Sequence, residues 1–271
     1  MTSIPIFDSL THPTLNGSWL SHHPEITTND FEQLSQSMAK NNILGGIAVG
    51  FTEIGKFNLD AYAKKASEFK NIFPVAQLDL QKLKSSQDII EKLKTIKSAG
   101  YIGIKIHPRL SQCLVDSDLV IQSVRECADR DLKPILCTYF KGSTLSDSKN
   151  NMNTLQRLLF EIKGAPIMLA HSCTTHLLEA TELAKSYKNV LLDLSFTLVK
   201  YEGSSLDSDL AYSFNKMDQK ICVGSDSPEI SQLDLRRRFD FFSKNLDVSK
   251  SKNIAYKNIL NFFNIHLEGF E

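Results

Sequence analysis

The sequence predicts a single (β/α)₈ TIM barrel spanning residues 1–271, and three observations predict it. Eight short apolar runs alternate with helical stretches from end to end. The runs begin roughly 25 to 40 residues apart, which leaves room for a crossover helix each time. The length of 271 residues gives about 34 per βα unit, close to what such a barrel needs.

The strands are expected at Ile4–Ser9, Gly45–Phe51, Pro74–Leu80, Tyr101–Pro108, Pro134–Phe140, Pro166–Ser172, Val190–Phe196 and Ile221–Ser227. Each is near-continuously apolar, as parallel strands buried on both faces are. Between them, Ser85-Ser86-Gln87-Asp88 has the Ser-x-x-Asp capping pattern, and Gly100 sits where a glycine closes the helix it starts. Asp116–Arg130 places Leu119, Val120, Val124 and Cys127 on one helical face. Met152–Lys163 ends at Gly164, and Thr175–Tyr187, Leu233–Lys244 and Asn253–Phe263 complete the helices read from pattern. The Ser-rich stretch Gly142–Asn151 reads as a βα loop, and Arg236-Arg237-Arg238 as a solvated helix face. A doubly wound open sheet is the alternative architecture.

Composition narrows the function classes. Thirty-one basic and 31 acidic residues cancel, which argues against nucleic acid as the main partner. With 42% hydrophobic and 9% aromatic residues the chain is globular in composition. No apolar run reaches membrane-spanning length, and the first residues carry no basic, hydrophobic leader pattern. Five scattered cysteines without a tight CxxC suit a reducing, cytoplasmic setting.

A barrel carries its chemistry at the C-terminal ends of its strands. Those ends read Asp8-Ser9-Leu10-Thr11-His12, Phe51-Thr52-Glu53, Gln77 and Asp79, Lys105-Ile106-His107-Pro108-Arg109, Cys137-Thr138-Tyr139, His171-Ser172-Cys173, Asp193-Leu194-Ser195 and Gly224-Ser225-Asp226-Ser227-Pro228. His12, His107 and His171 thus fall on one rim with Lys105 and Asp226. Lys105 in an apolar strand is expensive to bury unpaired, so it either serves a ligand or pairs with an acid such as Asp79 or Asp226. Asp226 either caps its loop or does chemistry, and His107 is either a turn residue or a site residue. Trp19, the only tryptophan, is either a lid or plain packing.

The segments FDSLTH, GIKIHP, MLAHS, VGSDSP and IAYKNILNFF, in that order, resemble the amidohydrolase superfamily. The resemblance is to the branch that includes 2-pyrone-4,6-dicarboxylate lactonase and aminocarboxymuconate semialdehyde decarboxylase. It implies a (β/α)₈ barrel, usually with one divalent metal, acting on small carboxylated substrates, often as a homodimer. The family pattern on strand 1 is Asp-x-His-x-His, and here Leu10 stands in place of the first histidine. The family's strand-5 histidine falls at Thr138, or at Cys137 in a shifted register. The resemblance therefore leaves His12 and Asp226 as metal ligands, with Cys137 and His171 as further candidates, for either no metal or one divalent ion, zinc first. Without metal, it implies hydrolysis of a lactone, ester or amide, with Asp226 as general base and His171 orienting water. Lys105, His107, Arg109, Tyr139 and Ser195 would bind the substrate. The alternative is a binding or partner protein that kept the barrel and lost the metal. A phosphate-binding barrel fits less well, because strands 7 and 8 lack a Gly-rich loop.

Overall fold

The computed structural model describes residues 4–20, 28–141 and 149–270. Eight strands, β1 (Ile6–Thr11), β2 (Ile43–Gly50), β3 (Ile72–Gln77), β4 (Gly103–Ile106), β5 (Lys133–Cys137), β6 (Ile167–Ala170), β7 (Val190–Asp193) and β8 (Ile221–Cys222), pair in sequence order. Every pairing from β1–β2 to β7–β8 is parallel. Backbone hydrogen bonds from Ser9 to Val223, from Asp226 to Leu10 and from His12 to Ser227 bring the last strand back to the first. An open doubly wound sheet would leave those two strands as separate edges, so the barrel is the architecture.

The crossover helices are α1 (Phe31–Lys40), α2 (Leu59–Ser67), α3 (Ser86–Ser98), α4 (Asp118–Ala128), α5 (Met152–Glu161), α6 (Leu177–Ser186), α7 (Leu206–Lys216) and α8 (Gln232–Ser243). A closing helical run, Val248–Phe263, passes through a π-helical turn at Asn253–Lys257. The Ser85/Asp88 capping box forms as expected, and Gly100 takes a positive φ of 93° just past α3, where a Cβ would be strained. In α4, Val120, Ser123, Val124 and Cys127 turn inward, and Leu119 is only partly buried at the edge of that face. Asp30 and Asn58 cap α1 and α2, two helices the pattern reading does not include.

Several strands stop short of their expected ends, each for a local reason. Pro108 opens a short helical turn, Pro108–Ser111, capped by His107, so β4 ends at Ile106. Positive φ at His171 ends β6 early. The Arg236–Arg238 run is not a solvated face. Arg236 and Arg238 are buried, with Arg236 on Asp240 and Arg238 on Asp207 and the Leu198 carbonyl. Only Arg237 reaches outward, in a bidentate pair with Glu202 at 2.6 Å per bond. Arg238 thus ties α8 to α7, while Arg236 pairs within α8 and donates to the Ile4 carbonyl at 2.7 Å, which is how guanidinium groups are kept inside. Most of Gly142–Asn151 lies outside the described residues. No helix among the described residues is long and apolar enough to cross a membrane.

Candidate active site

The C-terminal rim gathers His12, Lys105, His107, Cys137, His171 and Asp226, all of them buried. Asp226 follows β8 in the Gly-Ser-Asp-Ser-Pro segment, and each residue of that segment has a physical task. A Cβ on Gly224 would lie 2.4 Å from Ser9 Oγ and 2.9 Å from the Leu10 amide nitrogen, so only glycine lets this segment lie against β1. Ser225 donates its amide and its hydroxyl to Asp8, and Gln232 donates to the same carboxylate at 2.9 Å. Asp226 itself sits at φ 64°, a left-handed conformation stored next to its carboxylate.

His12 Nε2 meets Asp226 Oδ1 at 3.1 Å. Its Nδ1 faces the Val49 carbonyl at 3.1 Å, which fixes that nitrogen as a donor. The imidazole stacks on Phe51 with ring centroids 4.5 Å apart, and Trp19 covers it at 5.6 Å. Trp19 Nε1 also donates to Glu229 at 2.8 Å, so the lone tryptophan ties the loop after β1 to the loop after β8 over His12. Burial disfavours the charged form of His12 and pulls its pKa down, against the raising effect of Asp226. Burial alone would raise Asp226. The charge of His171, the hydrogen bond to His12 and the charge of Lys105 outweigh it and hold the carboxyl well below the usual range, so it is ionised.

Lys105 is 1% exposed and makes no hydrogen bond or ion pair among the described residues. Asp79, one of its two expected partners, is engaged by Lys82 at 2.9 Å instead. The charge of Lys105 acts on His12, His171 and Asp226, which places an uncommitted ammonium among them.

On the opposite side of the rim, His171 opens a tight turn. Its Nδ1 lies 3.2 Å from both the carbonyl and the hydroxyl of Ser195. Ser195 in turn donates its hydroxyl to Asp193, a buried carboxylate that also accepts from Ser9. Four successive non-glycine residues, His171 to Thr174, take positive φ. The turn is held by Ser172 on the Asp193 carbonyl at 2.8 Å, Thr197 on the His171 carbonyl at 2.7 Å and the Cys173 amide on Thr138 at 2.8 Å. Such strain persists where the surroundings over-determine it, typically at functional sites. Cys137, the last residue of β5, feels the imidazoles of His107 and His171. Burial opposes its thiolate, but the two imidazoles outweigh burial and bring the thiol well below its ordinary value. Burial disfavours charge on His171 as well, yet Asp226 and Cys137 raise its pKa.

The structure thus brings together His12, Asp226, His171, Lys105, His107 and Cys137. Ser195 is 0% exposed and stands behind His171, so it orients that ring instead of lining a pocket. Arg109 and Tyr139 form a half-buried pair at the rim, the guanidinium 5.1 Å over the ring. Pattern reading did not single out Asp8, Asp193 or Phe51 for the site. The signal for the two acids was present, because a carboxylate inside an apolar strand must be satisfied by something specific.

The metal set implied by the sequence resemblance does not assemble. Leu10 is fully buried at its strand-1 position, and Thr138 Oγ1 is bound to the Ala170 carbonyl at 2.6 Å. His12 and Asp226 touch directly. Among the described residues, no three His, Cys, Asp or Glu side chains form a group able to hold a metal ion. A pair of donors is one short of the three protein ligands of a catalytic zinc.

A closed barrel with its ionisable groups on the C-terminal rim is the arrangement in which (β/α)₈ proteins carry active sites. Solved structures share the barrel fold. The chain matches an uncharacterized TIM-barrel protein, Bb4693 from Bordetella bronchiseptica, with TM-score 0.79 and 15% identity over 96% of this chain and 99% of that one. It matches a protein described as a probable 2-pyrone-4,6-dicarboxylic acid hydrolase from Acinetobacter baumannii, with citric acid bound, at TM-score 0.68 and 12% identity, covering 96% and 99%. It also matches 5-carboxyvanillate decarboxylase LigW from Sphingomonas paucimobilis at TM-score 0.71 and 9% identity, covering 97% and 100%. At these identities the likeness establishes the fold. No protein-family model matches the sequence, and no curated protein matches it.

Proposed function

We propose that the protein is an amidohydrolase-type hydrolase of a small carboxylated ester or lactone. Asp226 takes the proton of the attacking water, and Lys105 holds the substrate carboxylate or the developing oxyanion. The single observation that carries this reading is Lys105. An unpartnered buried ammonium is costly unless a ligand anion completes it. Two structural neighbours support the substrate class by analogy, since one is described as a dicarboxylic acid hydrolase with citric acid bound and another as a carboxyvanillate decarboxylase.

The free site keeps Asp226 too acidic to be a strong base. A substrate carboxylate on Lys105 would cancel part of the positive field and raise the Asp226 pKa, so binding itself prepares the base. His12 positions the Asp226 carboxylate, and His171, held by Ser195 and Asp193, faces the same space.

The test is a panel of lactones, esters and aromatic carboxylates, each with and without an extra carboxylate. Asp226→Asn is expected to lower kcat by about 10²–10⁴-fold with KM little changed. Lys105→Met should raise KM for carboxylated substrates by much more than for their neutral counterparts. Carboxylate binding without turnover anywhere in the panel would favour the binding-protein alternative.

A further inference from the structure

The ionisable groups of the rim are closed off from solvent. Lys105 is 1% exposed, and His12, His107, His171 and Asp226 are buried with it. A carboxylate reaches Lys105 only if part of the cover moves, and the contacts differ sharply in which part can. We propose that the Trp19 indole is the gate of this site, latched shut by its hydrogen bond to Glu229, an inference that rests on the reading of the rim as a carboxylate site.

The cover has two halves. Over His171, Phe196 packs edge-on with ring centroids 5.8 Å apart, and Tyr139 braces Phe196 at 5.7 Å. That half is built into the backbone. The Phe196 carbonyl accepts from the Val199 amide at 3.2 Å and from the Lys200 amide at 2.9 Å, so Phe196 cannot swing without unwinding the helical turn Thr197–Lys200 that it caps.

Over His12 the cover is Phe51 and Trp19, whose rings lie 6.2 Å apart. Phe51 follows directly on β2, and its carbonyl accepts from the Ile54 amide at 3.3 Å. Trp19 makes no backbone hydrogen bond among the described residues, and its polar contact is Nε1 to Glu229 Oε1 at 2.8 Å. A void of about 10 Å³ bordered by Trp19, His12, Phe51 and Phe57 leaves that face of the indole incompletely packed.

The chain leading to Trp19 is pinned as far as Gly17. The Asn29 amide donates to the Gly17 carbonyl at 2.8 Å, its carbonyl accepts from the Thr14 amide at 2.7 Å, and its side chain donates to the His12 carbonyl at 2.5 Å. Gly17 takes φ 79°, and a glycine has the backbone freedom a hinge uses. The latch also bears on the chemistry. The Glu229 amide donates to the Asp226 carbonyl at 3.0 Å, so the group that shuts the gate sits on the same turn as the general base. An indole beyond a pinned hinge, held by one charge-assisted hydrogen bond, is a local opening of the kind that admits ligands to a closed site.

Access can be measured on the full chain without any turnover. Cyanate, a small anion that carbamylates amines, labels Lys105 only when the rim is open, and peptide mapping gives its rate. In Glu229→Met, Lys105 should label about tenfold faster, since the loss of one hydrogen bond to a charged group shifts an opening equilibrium by about that factor. Lys40, exposed at the end of α1, should label equally in both proteins. Acrylamide should quench Trp19, the only tryptophan, more strongly in the variant. Glu229→Gln removes the charge but keeps an acceptor for the indole, and it should stay close to wild type in both readouts. Stronger quenching with unchanged Lys105 labelling would make Trp19 surface packing and overturn the gate. Unchanged quenching would overturn the latch, and an equal rise of labelling in Glu229→Gln would make the effect one of charge alone. Should Glu229→Met loosen the whole fold, Cys127, buried on α4, would become reactive to iodoacetamide. Trp19→Phe then carries the labelling test, because it removes the same bond from the other end and keeps an aromatic cover. Faster labelling in a protein that binds and turns over no member of the carboxylate panel would overturn the carboxylate reading and leave the gate standing.

Discussion

Asp8 and Ser225 meet twice. The Ser225 amide donates to Asp8 Oδ1 at 2.8 Å and its hydroxyl donates to Oδ2 at 2.7 Å. One buried carboxylate on the first strand thus fixes the segment that carries Asp226. The acid is therefore structural, and its titration should be visible in stability. Burial lifts the Asp8 carboxyl from 3.8 to about 6, against the hydrogen bonds of Gln232, Ser225 and Leu10. A raised carboxyl pKa favours the protonated form in the fold. Its stabilising effect is complete below the unfolded value and is lost as pH rises through about 6. The wild type should lose up to about 3 kcal/mol relative to Asp8→Asn over that window. Urea melts of both proteins across the range measure it, and a pH-independent difference would show that Asp8 titrates normally.

Gly224→Ala tests the close approach at the same place. Its Cβ would meet Ser9 Oγ at 2.4 Å and the Leu10 nitrogen at 2.9 Å, and the latter is backbone that cannot turn aside. The variant should lose about 1–3 kcal/mol of stability, the usual result of overpacking. Its kcat should fall as well, because the displaced segment moves Asp226. Unchanged melts would mean that β8 yields more easily than its contacts suggest.

Lys105→Met should separate function from stability. Replacing an unpaired buried ammonium with an apolar chain of similar length should stabilise the fold by about 1–3 kcal/mol. The same change should abolish carboxylate affinity. A thermal melt and a calorimetric citrate titration give both numbers, and a destabilised variant would reveal a partner for Lys105 in the free protein.

Trp19 offers an optical readout. It is the only tryptophan, and it stacks on His12 while bonded to Glu229. Citrate should shift its emission in the wild type and leave Lys105→Met unchanged. An unresponsive wild type would make the indole simple packing.

The donor set bears on metal dependence. Because two groups and not three meet at His12 and Asp226, dialysis against a chelator should leave melting temperature and turnover unchanged. A loss restored by zinc would mean that the ligand set completes itself from a rearranged site.

The barrel was legible because strands buried on both faces carry uninterrupted apolar runs, as in Ile167–Ala170 and Val190–Asp193. Helix α2 was less visible because its inward face is Tyr62, Ala63 and Ala66, and alanine adds little to an amphipathic pattern. The rim positions of His12, Lys105, His171 and Asp226 followed from strand ends. What they touch did not, since His12 finds Asp226 across 214 residues of chain. The surroundings of Ser195 were not legible for a similar reason. Nothing local shows that its hydroxyl is committed to Asp193 or that His171 lies in front of it. The burial of Arg236 and Arg238 was hidden as well, because it depends on Asp207 and on the carbonyls of Ile4 and Leu198, all distant in sequence.

The brevity of β8 has a mechanical consequence. Only Ile221 and Cys222 join it to β7, and three backbone bonds together with the Asp8 clasp join the following segment to β1. The cylinder therefore has a seam, and Asp226 and His12 stand on its two sides. A local breathing motion there would part the carboxylate from the imidazole without disturbing the ladder from β2 to β6. Amide protons of Ser9, His12 and Asp226 should accordingly exchange with solvent sooner than those of β4 and β5. The joint that closes the barrel would then also set how far Asp226 can swing toward whatever occupies the rim.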